Sequence, residues 1–242
     1  MVMALIDDLK NRYRNGDVLT RLLFINIGVF VLLLLLDITF TLITVGRTGF
    51  AAELFQYPWN PAILLLRPWT PITALFTSYG LWNFLFNMLT LYWIGSLFQK
   101  FFTNTHLRGL YIIGGLTTMA CYTGIMLIPA FRFKDWSQTM PMTAACILSI
   151  AVALAFRAPE HKETIPLIGE VKIKYIVIIL ALIDIALLPK TNPATDLAYI
   201  GAAAAGFMFN RLLRKGVDIT KPVTVFFVWI DNLINRWKKR RK

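Results

Sequence analysis

Asn83 and Asn87 lie inside an apolar stretch of this 242-residue chain, and Asp37 and Asp184 interrupt two others. The two asparagines are four residues apart, so they share one face of a helix. A polar group buried away from water needs a hydrogen-bond partner, since leaving it without one costs a few kcal/mol. The amide pair therefore predicts either hydrogen bonds between packed helices or a polar functional site. The two carboxylates are candidates for an ion or small-molecule pathway, or for caps and interface contacts.

The chain contains two histidines and two cysteines, and neither type forms a recognisable metal-ligand spacing. His106 and His161 fall in predicted loops, away from the apolar interior. Cys121 and Cys146 fall inside predicted helices, where cysteine usually packs as a small apolar residue. We therefore expect no cofactor and no metal.

The elements that must position these residues are membrane-spanning helices. The composition is 57% hydrophobic and only 16% charged, and a span needs about 20 predominantly apolar residues to cross a core of ~30 Å. Three stretches carry no charge and three are interrupted by or follow an Asp. The uncharged stretches are 68–99, 109–131 and 136–156, and the others are 22–46, 175–188 and 197–210. The sequence predicts an all-α membrane protein with six transmembrane helices.

The formal charge is +12, and the distribution of the basic residues along the chain agrees with this topology. With six spans, most of the Lys and Arg residues fall on the side that holds both termini. The other side would hold only Arg47, Arg67, Arg132, Lys134 and Lys190. The positive-inside rule then places both termini in the cytoplasm. The excess of basic over acidic residues is explained by membrane topology and by attraction to lipid headgroups, and we expect no nucleic-acid partner.

Amphipathic segments are predicted at both ends of the membrane domain. Apolar residues recur at helical spacing at Leu5, Ile6, Leu9 and Tyr13. The tail combines a basic end, Arg236-Trp237-Lys238-Lys239-Arg240-Arg241-Lys242, with an apolar helical stripe, which is typical of a helix lying on anionic lipid. The stripe consists of Phe226, Trp229, Ile230, Leu233, Ile234 and Trp237. The predicted parts are residues 1–18, a cytoplasmic N-terminal segment; 19–215, the six-helix membrane domain; and 216–242, a basic tail that contacts membrane lipids.

Two further segments have distinctive compositions. The stretch from Arg47 to Pro71 is rich in aromatic residues and proline, which predicts a loop half-sunk in the outer interface. The run Gly201-Ala202-Ala203-Ala204-Ala205-Gly206 predicts close packing of the sixth span, with the fourth span as the natural neighbour.

The order of several short motifs resembles the rhomboid family of intramembrane proteases, in particular its bacterial six-helix type. Asn83 and Asn87 resemble the family's His-x-x-x-Asn, with Asn83 at the His position, and Gly95 and Gln99 resemble its Gly-x-x-x-Glu. Trp69 matches a Trp in the family's first outer loop. Tyr199 through Gly206 is similar to its His-x-Gly-Gly-x-x-x-Gly. The resemblance covers roughly Asp17 to Asp218 and implies a rhomboid-like fold in a cell (inner) membrane.

The same resemblance indicates that the catalytic residues of the family are missing from this chain. It places Thr143 at the nucleophile position and Tyr199 at the base position, with Asn83 and Asn87 at positions of the oxyanion site. A hydroxyl nucleophile needs a neighbouring group that accepts its proton. Tyrosine, with a pKa near 10, is protonated at neutral pH and is a poor base there. The degenerate positions predict a pseudoprotease in place of an enzyme.

Two functions from different classes follow. The first is a catalytically inactive rhomboid-like protein that binds transmembrane segments of client membrane proteins. The alternative is an active intramembrane serine-type endopeptidase that uses Thr143 to cleave transmembrane substrates. In both cases the partner is a transmembrane protein.

Overall fold

A computed structural model describes residues 16–44, 50–78, 80–131, 139–165, 169–187 and 193–229. The predicted amphipathic segment at Leu5 to Tyr13 and the C-terminal part of the tail, residues 230–242, lie outside the described residues. Residues 221–229, at the start of the tail, are helical. In chain order the α-helices are α1 (Val18–Thr44), α2 (Phe50–Phe55), α3 (Pro61–Leu66), α4 (Thr70–Thr73), α5 (Leu81–Phe101), α6 (Asn104–Met126), α7 (Thr143–Arg157), α8 (Ile173–Leu187) and α9 (Pro193–Arg214).

Within the described residues, three helices are long and apolar enough to cross a membrane, over Val18–Ile43, Leu81–Phe101 and Asn104–Met126. Helix α1 begins after Asp17, whose Oδ1 accepts a hydrogen bond from the Thr20 N–H at 2.9 Å, as an N-cap residue does. Its outer face exposes large apolar side chains such as Leu35 and Leu42. This exposure suits a helix that faces lipid. The protein is therefore a mostly helical membrane protein with three candidate membrane helices.

Helices α7 and α8 are apolar but shorter, with 15 residues each. At 1.5 Å per residue each extends only about 22 Å, less than the ~30 Å of a hydrocarbon core. Helix α9 has 22 residues but carries Asp196, Arg211 and Arg214 near its ends. Length and composition therefore support three of the six predicted spans.

Helices α6, α7 and α9 form the centre of the bundle, and small residues set their separation. A Cβ at Gly206 of α9 would meet the backbone oxygen of Ser149 and the backbone nitrogen of Ala153, both on α7. A Cβ at Gly201 would meet Thr117 and Cys121 on α6. The expected contact of the glycine and alanine run with the fourth predicted span is thus confirmed for Gly206, and Gly201 packs on the third span instead.

The segment between α1 and α5 is more regular than the predicted loop, because it contains α2, α3 and α4 and a 3₁₀ turn at Ala74–Phe76. Helix α3 starts at a proline, and the preceding Asn60 Oδ1 accepts from the Ala62 N–H at 3.0 Å. Strand β1 (Tyr57–Pro58) pairs antiparallel with β2 (Thr139–Met140), with Tyr57 opposite Met140. This pairing fixes the segment to the start of α7.

A second antiparallel pair joins α7 to α8. Strands β3 (Lys162–Ile165) and β4 (Gly169–Lys172) pair with Lys162 opposite Lys172. Lys100 at the end of α5 contacts Glu163 of this hairpin at 2.7 Å. Gln99 donates to Asp17 Oδ2 at 2.7 Å, and His106 lies 3.3 Å from Asp218. These contacts bring the start of α1, the end of α5, the start of α6, the hairpin and the end of α9 to one end of the bundle, which we call the basic end.

Candidate functional site

The 3₁₀ turn at Ala74–Phe76 and the start of α7 meet inside the bundle. The Met142 N–H donates to the Ala74 carbonyl at 2.9 Å, and the Thr143 N–H lies 3.4 Å from the Thr77 carbonyl oxygen. Ala74, Met142 and Thr143 are all fully buried. Irregular backbone at membrane depth occurs only where protein or a water-filled cavity satisfies its polar groups. The turn at Ala74–Phe76 and the start of α7 therefore organise a polar centre.

The carbonyl of Leu75 is the focus of this polar centre. It accepts from the Tyr111 hydroxyl at 2.9 Å and from the Thr143 hydroxyl at 3.1 Å. Asn26 of α1 lies beside them, and its Oδ1 accepts from the same two hydroxyls, at 3.2 Å from Tyr111 and 3.3 Å from Thr143. Carbonyls at the end of a helical turn lack an intrahelical partner. The four groups thus form a buried network that satisfies one such carbonyl and ties α1, α6 and α7 to the turn.

The network defines what the Thr143 hydroxyl can do. Its acceptors are an amide oxygen and a backbone carbonyl, and neither accepts a proton at neutral pH. Tyr199, on α9 and 5% exposed, is not among the hydrogen-bond partners of Thr143. His106 and His161 lie at the basic end, in contact with Asp218 and Glu163. The hydrogen bonds of Thr143 therefore supply no general base for a nucleophile.

Asn83 and Asn87 form a second polar group on α5. Asn87 Nδ2 donates to Asn83 Oδ1 at 3.1 Å and to Ser78 Oγ at 3.2 Å. Both asparagines are buried, which agrees with the expected shared helical face. The four predicted site residues do not form one hydrogen-bonded set, because Asn87 bonds Asn83 and Ser78 while Thr143 bonds Asn26 and Leu75.

A pocket of about 140 Å³ lies beside this second group, between α1 and the start of α5. Three polar residues, Asp37, Thr77 and Ser78, share it with apolar walls and one glycine. The other lining residues are Phe30, Leu33, Leu34, Phe76, Gly80 and Leu81. Gly80 has φ +113°, a conformation that residues with a Cβ rarely adopt, and it turns the chain into α5. We call this cavity the polar pocket.

Sequence reasoning missed Asn26, Tyr111, Thr77 and Ser78. Asn26 had a usable signal, because it is an amide within the first apolar run and, like Asn83 and Asn87, needs a hydrogen-bond partner there. Tyr111, Thr77 and Ser78 gave no usable signal in the sequence, since a single tyrosine, threonine or serine in a membrane helix or turn is common.

The described residues contain no group of three or more His, Cys, Asp and Glu side chains that could hold a metal ion. Cys121 and Cys146 are free thiols, and Cys146 is buried. Asp184 lies on α8, but the structure does not describe its side chain.

The basic end contains an electrostatic contact between the turn after α9 and the start of α6. Burial alone would raise the pKa of Asp218, but hydrogen bonds from the Thr220 hydroxyl and N–H, together with nearby His106, lower that pKa below its ordinary value. The hydroxyl and N–H lie 2.6 and 2.8 Å from Asp218 Oδ1. Asp218 therefore fixes the turn after α9 against the start of α6.

Comparison with known proteins gives one match. A family model described as "Eukaryotic integral membrane protein (DUF1751)" matches residues 25–222. No curated protein and no solved structure matches the chain.

This match corrects the family suggested by the short motifs. The matching family is DUF1751 and not the rhomboid family, so the rhomboid identification, including the pseudoprotease interpretation, is wrong. The motif residues have a more general role. Gly201 and Gly206 permit close helix contact, as in many helical membrane bundles, and Asn87 donates a hydrogen bond to Asn83 within α5. The match shows that the chain is an integral membrane protein. The cell (inner) membrane as its location and the cytoplasmic position of both termini stay predictions.

Proposed function

We propose that this chain, which belongs to the DUF1751 family of eukaryotic integral membrane proteins, binds transmembrane segments of client membrane proteins without cleaving them. The polar pocket is the observation that carries the proposal. It brings Asp37, Thr77 and Ser78 to a cavity between two membrane helices. A client helix with an amide or a broken backbone hydrogen bond could satisfy that group there.

The depth of the polar pocket supports this use. Asp37 lies seven residues before the end of α1, which is about 10 Å along the helix axis. Trp82, beside the pocket at the start of α5, is 81% exposed, as expected of an aromatic residue in the interfacial belt. The pocket would then lie just inside the hydrocarbon core. A polar client group at this depth lacks water and gains from a protein partner.

The proposed topology has six crossings, with α7, α8 and α9 as the last three and both termini in the cytoplasm. It is supported by the basic end, where alternate helix termini meet as six antiparallel crossings require. Lys100, Arg157, Lys172 and Arg214 lie at helix or strand ends there. The other end of the bundle, with the polar pocket, would face away from the cytoplasm.

Binding without cleavage is favoured over proteolysis by the hydrogen bonds of Thr143. A hydroxyl that donates to an amide and a carbonyl oxygen holds a turn in place and has no base to activate it. We therefore assign Thr143 to the support of the Leu75 turn.

Two single-span peptides test the proposal with the protein reconstituted in liposomes. One is built of Leu and Ala, and the other carries one Asn about 10 Å from its end. Energy transfer from labelled protein to labelled peptide measures binding. We expect the Asn peptide to bind about three- to thirtyfold more tightly, from the ~0.6–2 kcal/mol of a hydrogen bond between membrane helices. Mass spectrometry of the recovered peptides should show them intact.

The tighter binding of the Asn peptide should disappear in the double variant Asp37→Leu, Ser78→Ala. Thr39→Val is the matched control, because Thr39 is also on α1 but is exposed and bonds its own helix at the Leu35 carbonyl. Equal binding of both peptides to the wild-type protein would contradict the proposal. Peptide cleavage that is lost in Thr143→Ala would favour the endopeptidase instead.

A further inference from the structure

Two further cavities lie near the basic end, away from the polar pocket. One is an apolar groove of about 490 Å³ between α7 and α8, within the usual ~300–1,000 Å³ of ligand sites. Its walls are apolar except for Lys174. The other lining residues are Leu148, Val152, Ala155, Phe156, Pro159, Val177, Ile178 and Ala181.

The other cavity, of about 130 Å³, lies between α7 and α9. It is lined by Phe156, Phe207, Asn210, Arg211 and Arg214. Phe156 lines both cavities, so they share a wall. Its ring lies edge-on to that of Phe207, with centroids 5.0 Å apart. We call these two neighbouring cavities, one apolar and one lined by two arginines, the basic cleft.

The charges in the basic cleft favour an anion. No lining residue of either cavity is acidic. Among the described residues, Arg211 and Arg214 have no carboxylate partner, and Arg214 donates one hydrogen bond to the Phe156 carbonyl at 2.9 Å. Lys174 is paired with Glu160, which also binds Lys172. The two arginines are therefore the cations available to a ligand.

Asn210 lines the cleft and has an unsatisfied acceptor. The residue is 3% exposed, and its Nδ2 donates to the Ala153 carbonyl at 3.2 Å. Its Oδ1 is buried and has no hydrogen-bond partner. An unpartnered buried oxygen costs about 1–3 kcal/mol. A donor group on a ligand in the basic cleft would supply the missing hydrogen bond.

We propose that the basic cleft binds one anionic phospholipid whose headgroup carries a hydroxyl or ammonium donor. The phosphodiester contacts Arg211 and Arg214, the headgroup donor meets Asn210 Oδ1, and an acyl chain lies in the groove between α7 and α8. Arginine is suited to phosphate because its guanidinium presents paired donors. The occupant is a lipid because the cavity with the two arginines adjoins an apolar groove at Phe156 on an integral membrane protein.

Native mass spectrometry of the delipidated full chain tests the proposal, with phosphatidylglycerol and phosphatidylcholine added separately. We expect retention of phosphatidylglycerol over phosphatidylcholine. Arg211→Gln with Arg214→Gln should weaken phosphatidylglycerol binding about 25-fold, a factor of about five for each arginine near an anionic headgroup. The matched control is Lys215→Gln with Lys221→Gln, which removes the same charge from exposed positions outside the cleft. It should change binding by about twofold or less.

A third variant tests the apolar part and leaves every charge in place. Ala181→Phe fills the groove and should weaken the lipid, while binding of inorganic phosphate, which has no acyl chain, stays unchanged. The proposal is overturned if both charge variants weaken phosphatidylglycerol equally, if the two lipids are retained equally, or if Ala181→Phe has no effect on the lipid. Gel filtration of each variant shows whether it is folded.

Discussion

Replacing Thr143 with valine should destabilise the protein, because it removes one donor from the buried hydrogen-bond network around the Leu75 carbonyl. The change keeps the shape of the side chain and removes one hydroxyl. The network has two hydroxyl donors, Tyr111 and Thr143, and two acceptors, the Leu75 carbonyl and Asn26 Oδ1. A hydroxyl has one proton to donate, so two donors are needed to satisfy both acceptors at once.

The magnitude follows from this count. In Thr143→Val, the Tyr111 hydroxyl can satisfy only one acceptor, and the other loses its hydroxyl donor at a buried position, since Asn26 and Thr143 are both 0% exposed. The Cys146 thiol, 3.9 Å from the Leu75 carbonyl oxygen, is only a weak replacement. We expect a loss of about 1–3 kcal/mol in the free energy of unfolding. For a chain of this size that corresponds to roughly 2–10 °C in Tm.

The assay is unfolding in mixed micelles, followed by tryptophan fluorescence and by loss of helical signal. Thr143→Ser is the matched control, because it keeps the donor and removes one methyl group. It should lose less than the valine variant. The reasoning is refuted if Thr143→Val is as stable as the wild-type protein, or if the serine variant is the less stable of the two.

Two further predictions concern packing and pH. Gly206→Ala should cost about 1–3 kcal/mol, because the new methyl group meets the backbone of Ser149 and Ala153 on α7. Gly124→Ala on α6, where nothing lies within 4 Å of the added Cβ, should be neutral or stabilise by up to about 1 kcal/mol; equal losses in the same micelle assay would contradict this account of α9 packing. Asp218→Asn should lower the unfolding midpoint at neutral pH, since the lowered pKa of Asp218 stabilises the fold above the ordinary Asp value of about 3.9. The difference from the wild-type protein should shrink as the pH falls below about 4, through the lower folded pKa, and a difference that grows in acid would contradict it.

The sequence predicted the helical membrane character because several long apolar blocks in one chain are stable in a bilayer and rarely in a soluble core. It also predicted that Asn83 and Asn87 share a face, since helical spacing decides that by itself. The segment before α5 was harder. Its prolines and aromatic residues predicted a loop, whereas Asn60 and Pro61 start a short helix and Tyr57 pairs with Met140, a contact between distant parts of the chain.

The family and the site were predicted least well, for one physical reason. Short motifs of glycine, asparagine and tryptophan arise wherever membrane helices pack closely, so they identified the wrong family. The partners of Thr143 come from α1 and the turn at Leu75, and Tyr111 of α6 shares the same acceptors. Only tertiary packing brings these elements together, and no spacing along the chain encodes it.

Photo-crosslinking from a bound client helix tests the central claim most directly. The Asn-containing peptide, with a benzophenone residue next to its Asn, is illuminated with the reconstituted protein, and the adducts are mapped by proteolysis and mass spectrometry. Binding in the polar pocket predicts adducts on α1 between Phe30 and Asp37 and on Thr77, Ser78, Gly80 and Leu81. They should be reduced in the Asp37→Leu, Ser78→Ala variant and kept in Thr143→Ser. Adducts spread evenly over lipid-facing positions such as Leu42 and Leu89, or concentrated between α7 and α8, would contradict it.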